Sequence, residues 1–366
     1  YVPPLVLPSS GRRQRQMFIS DRLYSVLALS LLFSCSNDDD GTITLQEPLG
    51  DYENGIIVSA EGGPSSVSYI SNDFSTSEND IYFNVNGETL GVYLQSMGFN
   101  GDNAYIIQDS GTITVVNRYT FELVTTITTG LTLPRYIGFN GSTAYVSDWA
   151  DPNTSTDDYV AVIDLNSYTV TSTIPVSEGP EQVLANNGKV FVSHKGGYGV
   201  NNEISVISTS NSTVATISVN DVPDEMVLDS QGNLLVLSEG GQSWQVSGET
   251  LASITRINTS DNSIISTVEF ASGNHPSLMS YFNGMAYYIL NNEVYALADT
   301  ATNLPSSSLF SVDAGYAYGL SVKENNLFLT DASFSAQSTL KVYDLPSGTL
   351  SESFSVGIGA SKIYFN

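Results

Sequence analysis

The side chains best able to grip a ligand are few in this chain, and they fall in the gaps between strand-like runs. Both tryptophans, Trp149 and Trp244, and both histidines, His194 and His275, sit there. Tyr198, Tyr316 and Phe334 occupy similar stretches, and Arg135 stands beside Pro134 where the clearest run begins. Aromatic rings carried on loops offer large, stiff contact areas at low entropic cost, and a few polar groups among them set orientation. These eight residues are therefore the expected ligand-contacting set. Carboxylates accompany them: Asp148, Asp151, Glu181, Asp224 and Glu225. Their spacing matches no calcium loop, so no metal site is expected, and Asp157-Asp158 reads as a solvated loop. The chain contains no G-x-S-x-G, H-E-x-x-H or phosphate-binding glycine loop, so neither a catalytic set nor a cofactor is expected. The only cysteine, Cys35, lies far from all of these in sequence.

The elements that must position these residues repeat. The run PRYIGFNGSTAYVSDW (134–149), followed by YVAVIDLNSYTVTSTIPV (159–176), splits into four short strands, the first two joined at Asn140-Gly141. Val, Ile and Tyr alternate with Ser, Thr and Asp at the period of a strand, and Asn-Gly is a hairpin signal. Related copies recur every 40 to 50 residues or so, the range of propeller blades. Six copies carry all four strands. A seventh is split: GIIVSAE, SVSYIS and DIYFNVN stand near the start, and SKIYFN (361–366) stands alone at the end. The expected architecture is all-β, a seven-bladed β-propeller of four-stranded antiparallel blades over 55–366, its ring closed by the C-terminal strand. Closure removes the open edges that invite aggregation. In that topology the loops from fourth to first strands and from second to third strands share one face. The eight candidate residues would gather on it.

Composition agrees with many short strands: charged residues are only 14% and hydrophobic ones 41% of 366 residues. The formal net charge of −26 repels phosphate backbones, so nucleic acid is excluded as a partner.

Ahead of the repeats, residues 1–16 form no coherent element and read as upstream translation before Met17. Residues 17–34 hold Arg22 and an apolar run from Leu23 to Phe33, too short to span a bilayer but suited to a signal peptide. Leu32-Phe33-Ser34-Cys35 resembles the lipobox of bacterial lipoproteins, which implies that Cys35 carries a lipid. The following Ser36-Asn37-Asp38-Asp39-Asp40 resembles the acidic export signal of Bacteroidota lipoproteins. Residues 35–54 thus read as a lipidated acidic tether, placing the protein on the outer membrane and facing outward, with the lipid its only membrane contact.

Val162-Ile163-Asp164, Thr173-Ile174-Pro175-Val176, Gly179-Pro180 and Ala144-Tyr145-Val146-Ser147 resemble the YVTN/YncE-type propeller repeat. Anchor, acidic tail and repeat together resemble surface propellers of gut Bacteroides that seize cobalamin for a TonB-dependent transporter. The resemblance implies a binding module rather than an enzyme. Its implied ligand is a small molecule, corrinoid-like by slight preference and otherwise a glycan, with a TonB-dependent transporter as partner. The alternatives are a structural or adhesive surface propeller and, less favoured, a lactonase-type enzyme.

Overall fold

The computed structural model describes residues 47–245 and 247–366. The expected leader, Cys35 and the acidic run lie outside the described residues. Among the described residues, no helix is long and apolar enough to cross a membrane, which says nothing of strands.

Pro48–Asn366 folds as seven four-stranded antiparallel sheets, the expected β-propeller. From the inside outward, blade 1 comprises Ala360–Phe365, Gly55–Ala60, Ser66–Ser71 and Ser77–Glu78. Blade 2 comprises Leu94–Asn100, Asn103–Gln108, Thr112–Asn117 and Leu123–Ile127. Blade 3 comprises Pro134–Asn140, Thr143–Asp148, Tyr159–Asp164 and Thr169–Pro175. Blade 4 comprises Pro180–Asn186, Lys189–His194, Glu203–Ser208 and Val214–Ser218. Blade 5 comprises Pro223–Leu228, Leu234–Ser238, Ser253–Ile257 and Ile264–Glu269. Blade 6 comprises Met279–Phe282, Met285–Leu290, Glu293–Ala298 and Phe310–Ser311. Blade 7 comprises Ala317–Lys323, Asn326–Asp331, Ser338–Asp344 and Thr349–Val356. The ring closes where Ala360–Phe365 pairs with Gly55–Ala60, Ile363 opposite Val58.

The core is not one mass but a series of clusters, each between two neighbouring blades. Ile57, Tyr69, Leu94 and Ile106 fill the space between blades 1 and 2. On the other side of blade 1, Ile56, Val58 and Ile363 meet Phe328, Leu340 and Val342 of blade 7. Successive residues of a strand point to opposite faces, and here both faces are covered. That is why runs such as Ile56-Ile57-Val58 are continuously apolar while outer strands such as Leu123–Ile127 carry Thr and remain largely exposed. The tight turns close the far end of the blades: Asn283 and Gly284 both take positive φ, as a two-residue hairpin turn requires.

Two expectations about blade 1 are corrected. DIYFNVN is not its outer strand: Ile81–Asn86 is a short helix, and Ser77–Glu78 forms the edge instead. Ile81 and Tyr82 are adjacent and both buried against Phe121 and Tyr52, which a strand cannot arrange because neighbours point opposite ways. Gly87, in the left-handed region, ends the helix by donating its N–H to the Phe83 carbonyl. The packed unit also begins ahead of the expected boundary at 55, because Tyr52 already packs edge-on against Tyr69 and Phe121.

Candidate functional site

The inner strands do not run straight into the mouth of the ring. In blades 3, 4 and 5 each begins with a proline, Pro134, Pro180 or Pro223, and the pairing then slips. The residues in the slip are Arg135-Tyr136, Glu181-Gln182 and Asp224-Glu225. Shorter slips place Gln95, Tyr318 and Ser361 alike in blades 2, 7 and 1. A bulge re-aims side chains, and these bulges present theirs to the ring's axis. The freed backbone groups are satisfied in a repeating way. Ser147 Oγ accepts from Tyr136 N–H at 3.0 Å and donates to the Glu181 carbonyl of the next blade at 2.5 Å. Ser193 does the same for Gln182 and Asp224.

A second ring comes from the residue just past each second strand: Glu61, Trp149, Lys195 and Glu239 in blades 1, 3, 4 and 5. Together with His275, Gln242 and Tyr316, most of these residues line a cavity of about 350 Å³. A second cavity of about 410 Å³ continues along the axis and shares Tyr136, Glu225, Leu278 and Lys362 with the first, so these four form a waist.

The mouth is densely charged, and its cations are already held. Arg135 grips Glu181 through two nitrogens, at 3.0 and 3.3 Å. Lys195 bridges Asp224 at 2.7 Å and Glu239 at 2.8 Å. Lys362, from the closing strand, holds Glu225 at 2.8 Å, and Gln182 donates to the same carboxylate at 2.5 Å. Five carboxylates, those of Glu61, Glu181, Asp224, Glu225 and Glu239, thus face three cations around one cavity. Burial pushes Glu239 up to about 7, opposed by Lys195 and reinforced by the nearby Asp224 charge. Against the cost of its own burial, Lys195 and Lys362 pull Asp224 down to about 2.

The sign of the Glu239 shift makes a prediction. Between its ordinary 4.5 and about 7, the folded chain keeps a proton that the unfolded chain has released. The stability contributed by Glu239 is therefore full below 4.5 and is lost as pH rises through about 7. His194, pushed down to about 4 by burial, slopes the other way, losing stability as pH falls from 6.5. Only a difference isolates Glu239. Relative to wild type, Glu239→Gln should gain roughly 3 kcal/mol between acid and neutral pH. Urea unfolding of both proteins on either side of the window measures it, and a pH-independent difference would refute the assignment.

The expected site residues divide. Arg135, His275 and Tyr316 line the cavity. His275 is held by the Glu239 carbonyl at 2.7 Å and Glu249 at 3.1 Å. Tyr198, Trp244, Phe334 and Tyr316 stand open around the mouth, 80, 76, 60 and 53% exposed. The Trp244 indole donates to Gln242 of the cavity wall at 3.2 Å. Trp149, by contrast, is only 9% exposed: Arg135 lies 4.2 Å over its ring and its N–H is spent on the Pro180 carbonyl at 2.9 Å. It is a support for Arg135 rather than an open platform. His194 is corrected outright. It ends its strand opposite Pro180, fully buried, with Nε2 2.8 Å from Ser205 Oγ, and the next residue, Lys195, is the one that reaches the mouth. Asp148 is structural, accepting from Thr132, Leu133 and Ala150 N–H. Among the described residues, no cluster of His, Cys, Asp and Glu is arranged to hold a metal ion.

Tyr136 and Lys362 lie outside everything the sequence singled out; Tyr318, and Glu61, Lys195 and Glu239 beside the glycine pairs of the same loops, are expected on this face but stand outside the eight ligand-contacting residues. Aligning the repeats on Pro-x-x at each inner strand would have singled out Tyr136, with Lys362 at the matching place in SKIYFN.

Fold and mouth define a seven-bladed β-propeller with a charged, aromatic-rimmed cavity at one end of its axis. The chain belongs to the family described as Domain of unknown function (DUF5074), whose pattern matches residues 54–320. No curated protein matches it. Solved structures share the fold at low identity. Dihydro-heme d1 dehydrogenase NirN in complex with DHE aligns at TM-score 0.57 and 13% identity, over 87% of this chain and 77% of that one. The computationally designed Ika8 protein aligns at 0.56 and 10%, over 87% and 92%. Hydrazine synthase of Kuenenia stuttgartiensis aligns at 0.57 and 14%, over 74% and 92%.

Proposed function

We propose that the protein is a ligand-capturing module, tethered through Cys35 to the outer face of the outer membrane, that hands its cargo to a TonB-dependent transporter. The observation that carries this reading is the ring of open aromatic side chains, Tyr198, Trp244, Tyr316 and Phe334, around a cavity whose charged walls are prearranged by their own ion pairs. Walls that need no reorganisation favour binding. A corrinoid suits such a face best. Its broad ring would lie across the rim against the aromatics, and its amide fringe would meet Gln95, Gln242 and the carboxylates below. A propeller neighbour, NirN, is in complex with DHE, though at 13% identity that likeness concerns fold alone. A glycan is the second reading, favoured by the open indole of Trp244, since sugar faces stack on tryptophan.

Calorimetric titration with cobinamide and cobalamin tests the proposal, with a glycan panel in parallel. We expect one corrinoid to bind with Kd in the micromolar range or tighter. Trp244→Ala and Tyr198→Ala should each weaken it about tenfold, the cost of losing one well-placed aromatic contact. Absence of corrinoid binding at micromolar concentrations sinks that preference. For the anchor, Cys35→Ser should abolish incorporation of a labelled fatty acid and release the protein from membranes; continued labelling would reject it.

A further inference from the structure

The aromatic residues of the mouth are not equivalent in what they already hold. Trp149 carries the Arg135 guanidinium 4.2 Å above its ring, and Lys362 lies 5.6 Å from the ring centre of Tyr136. Where blades 7 and 1 meet, three further rings cluster, and among the described residues no cation lies over any of them. Tyr316 and Tyr318 lie 5.4 Å apart, Tyr316 and Phe334 5.9 Å, and Tyr318 and Phe334 5.6 Å, with interplanar angles of 40, 66 and 68°. Two of these contacts are edge-to-face, so the rings pack as a bent cluster whose outer surface, not a gap between rings, faces the mouth. The half-buried Glu61 stands beside them and accepts the Tyr318 hydroxyl at 3.0 Å. Among the described residues it is the one cavity carboxylate of the five without an ion pair, since Arg135, Lys195 and Lys362 each hold nearer partners.

Hydrogen bonds hold both loops of the corner in place. Asp331 accepts the backbone N–H groups of Gly315 and Tyr316 at 2.9 and 3.0 Å, fixing one wall. The Ser333 carbonyl accepts from Gly359 N–H at 2.8 Å, fixing the loop of Phe334 against blade 1. Tyr316 and Phe334 nevertheless remain more than half exposed, so their ring surfaces are available. An aromatic face attracts a cation through its quadrupole, most strongly where several rings and a carboxylate converge and water is partly excluded. The chain's large negative charge draws cations toward such a site and turns anions away.

We propose that the Tyr316–Tyr318–Phe334 corner, closed by Glu61, is a subsite for an organic cation, a quaternary or alkylated ammonium group. The bound cation stands to these rings as Arg135 stands to Trp149. The inference rests on the mouth being a binding face, as proposed above, but not on a corrinoid occupying it. A metal ion is disfavoured, because Glu61 is the one cavity carboxylate at this corner and hard cations require about six oxygen ligands.

The test uses choline as probe against its uncharged analogue, in which a tert-butyl group replaces trimethylammonium at nearly the same shape. Titration of the folded protein, followed by NMR of the probe, should show choline saturating with a Kd of about 1 mM or below. The analogue should bind at least about tenfold more weakly. Glu61→Gln should weaken choline about tenfold and leave the analogue unchanged. Tyr316→Leu with Phe334→Leu, both at exposed positions, should abolish the preference for charge while retaining the wild-type melting temperature. Equal binding of the two probes, choline affinity indifferent to these substitutions, or no saturation would each overturn the proposal. Cobinamide titrated on the same proteins separates the two readings. Choline bound with cobinamide refused rejects only the corrinoid, and the reverse rejects only the cation corner.

Discussion

Deleting residues 360–366 will leave a protein that no longer unfolds cooperatively near the wild-type temperature and that self-associates. Six residues form the closing strand, and three of its side chains, Ala360, Ser361 and Ile363, are nearly or fully buried. Without it, Gly55–Ala60 becomes an open inner edge of unpaired backbone groups, the feature that sheet proteins suppress to avoid edge-to-edge pairing. Two of the seven inter-blade clusters lose a wall, because Ile363 packs between blades 7 and 1 and Tyr364 against the cluster between blades 1 and 2. Lys362 goes too, leaving the partly buried Glu225 without its cation. Whole domains are stable by only about 5–15 kcal/mol, so a loss of this kind removes most of the margin. The milder Ile363→Asp places one unpaired charge in the same seam and should cost about 3–5 kcal/mol. Thermal melts by circular dichroism with size-exclusion chromatography decide the matter. A truncated monomer melting like wild type would mean that the ring does not depend on its closure.

The second large effect is expected at Lys195. Its ammonium sits between Asp224 and Glu239, whose side chains are 13 and 12% exposed. Lys195→Met keeps most of the apolar stem but leaves two carboxylates facing each other without compensation. Removing one partner of a buried charge group costs more than the group contributes as a whole. Allowing for the 33% exposure of Lys195, the loss at neutral pH should be about 2–3 kcal/mol. The loss must shrink in acid, because one carboxyl can then take a proton and bond to the other. The triple change Lys195→Met with Asp224→Asn and Glu239→Gln should return to within about 1 kcal/mol of wild type, since no charge is left to compensate. Urea titrations at neutral and mildly acid pH measure all three proteins. A Lys195→Met protein as stable as wild type at neutral pH would show that solvent, not Lys195, satisfies the pair.

Much of the fold was legible before any coordinates. Strand boundaries in six blades follow from period-two alternation and from turns such as Asn140-Gly141 and Asn283-Gly284, which are local signals. The lone terminal strand SKIYFN implied closure because an unpaired copy of the first strand has only one place to go. The exception, Ile81–Asn86, has the β-branched and aromatic residues of a strand. Its helix is decided by a tertiary demand, the burial of adjacent Ile81 and Tyr82 beside Phe121.

For the site, the chain alone determined which loops share the mouth, because strand order within a blade dictates which ends of the strands face which side. It did not determine which side chains open there. His194 and Lys195 are neighbours, yet one is sealed beside Ser205 and the other spans two carboxylates. Glu181 and Gln182 likewise part, one toward Arg135 and the other toward Glu225. A bulge shifts register by one residue, and one residue is the difference between facing the ring's axis and facing the next blade. The charge partners are also remote in sequence, Lys362 and Glu225 most of all. Only closing the ring brings them within hydrogen-bonding distance.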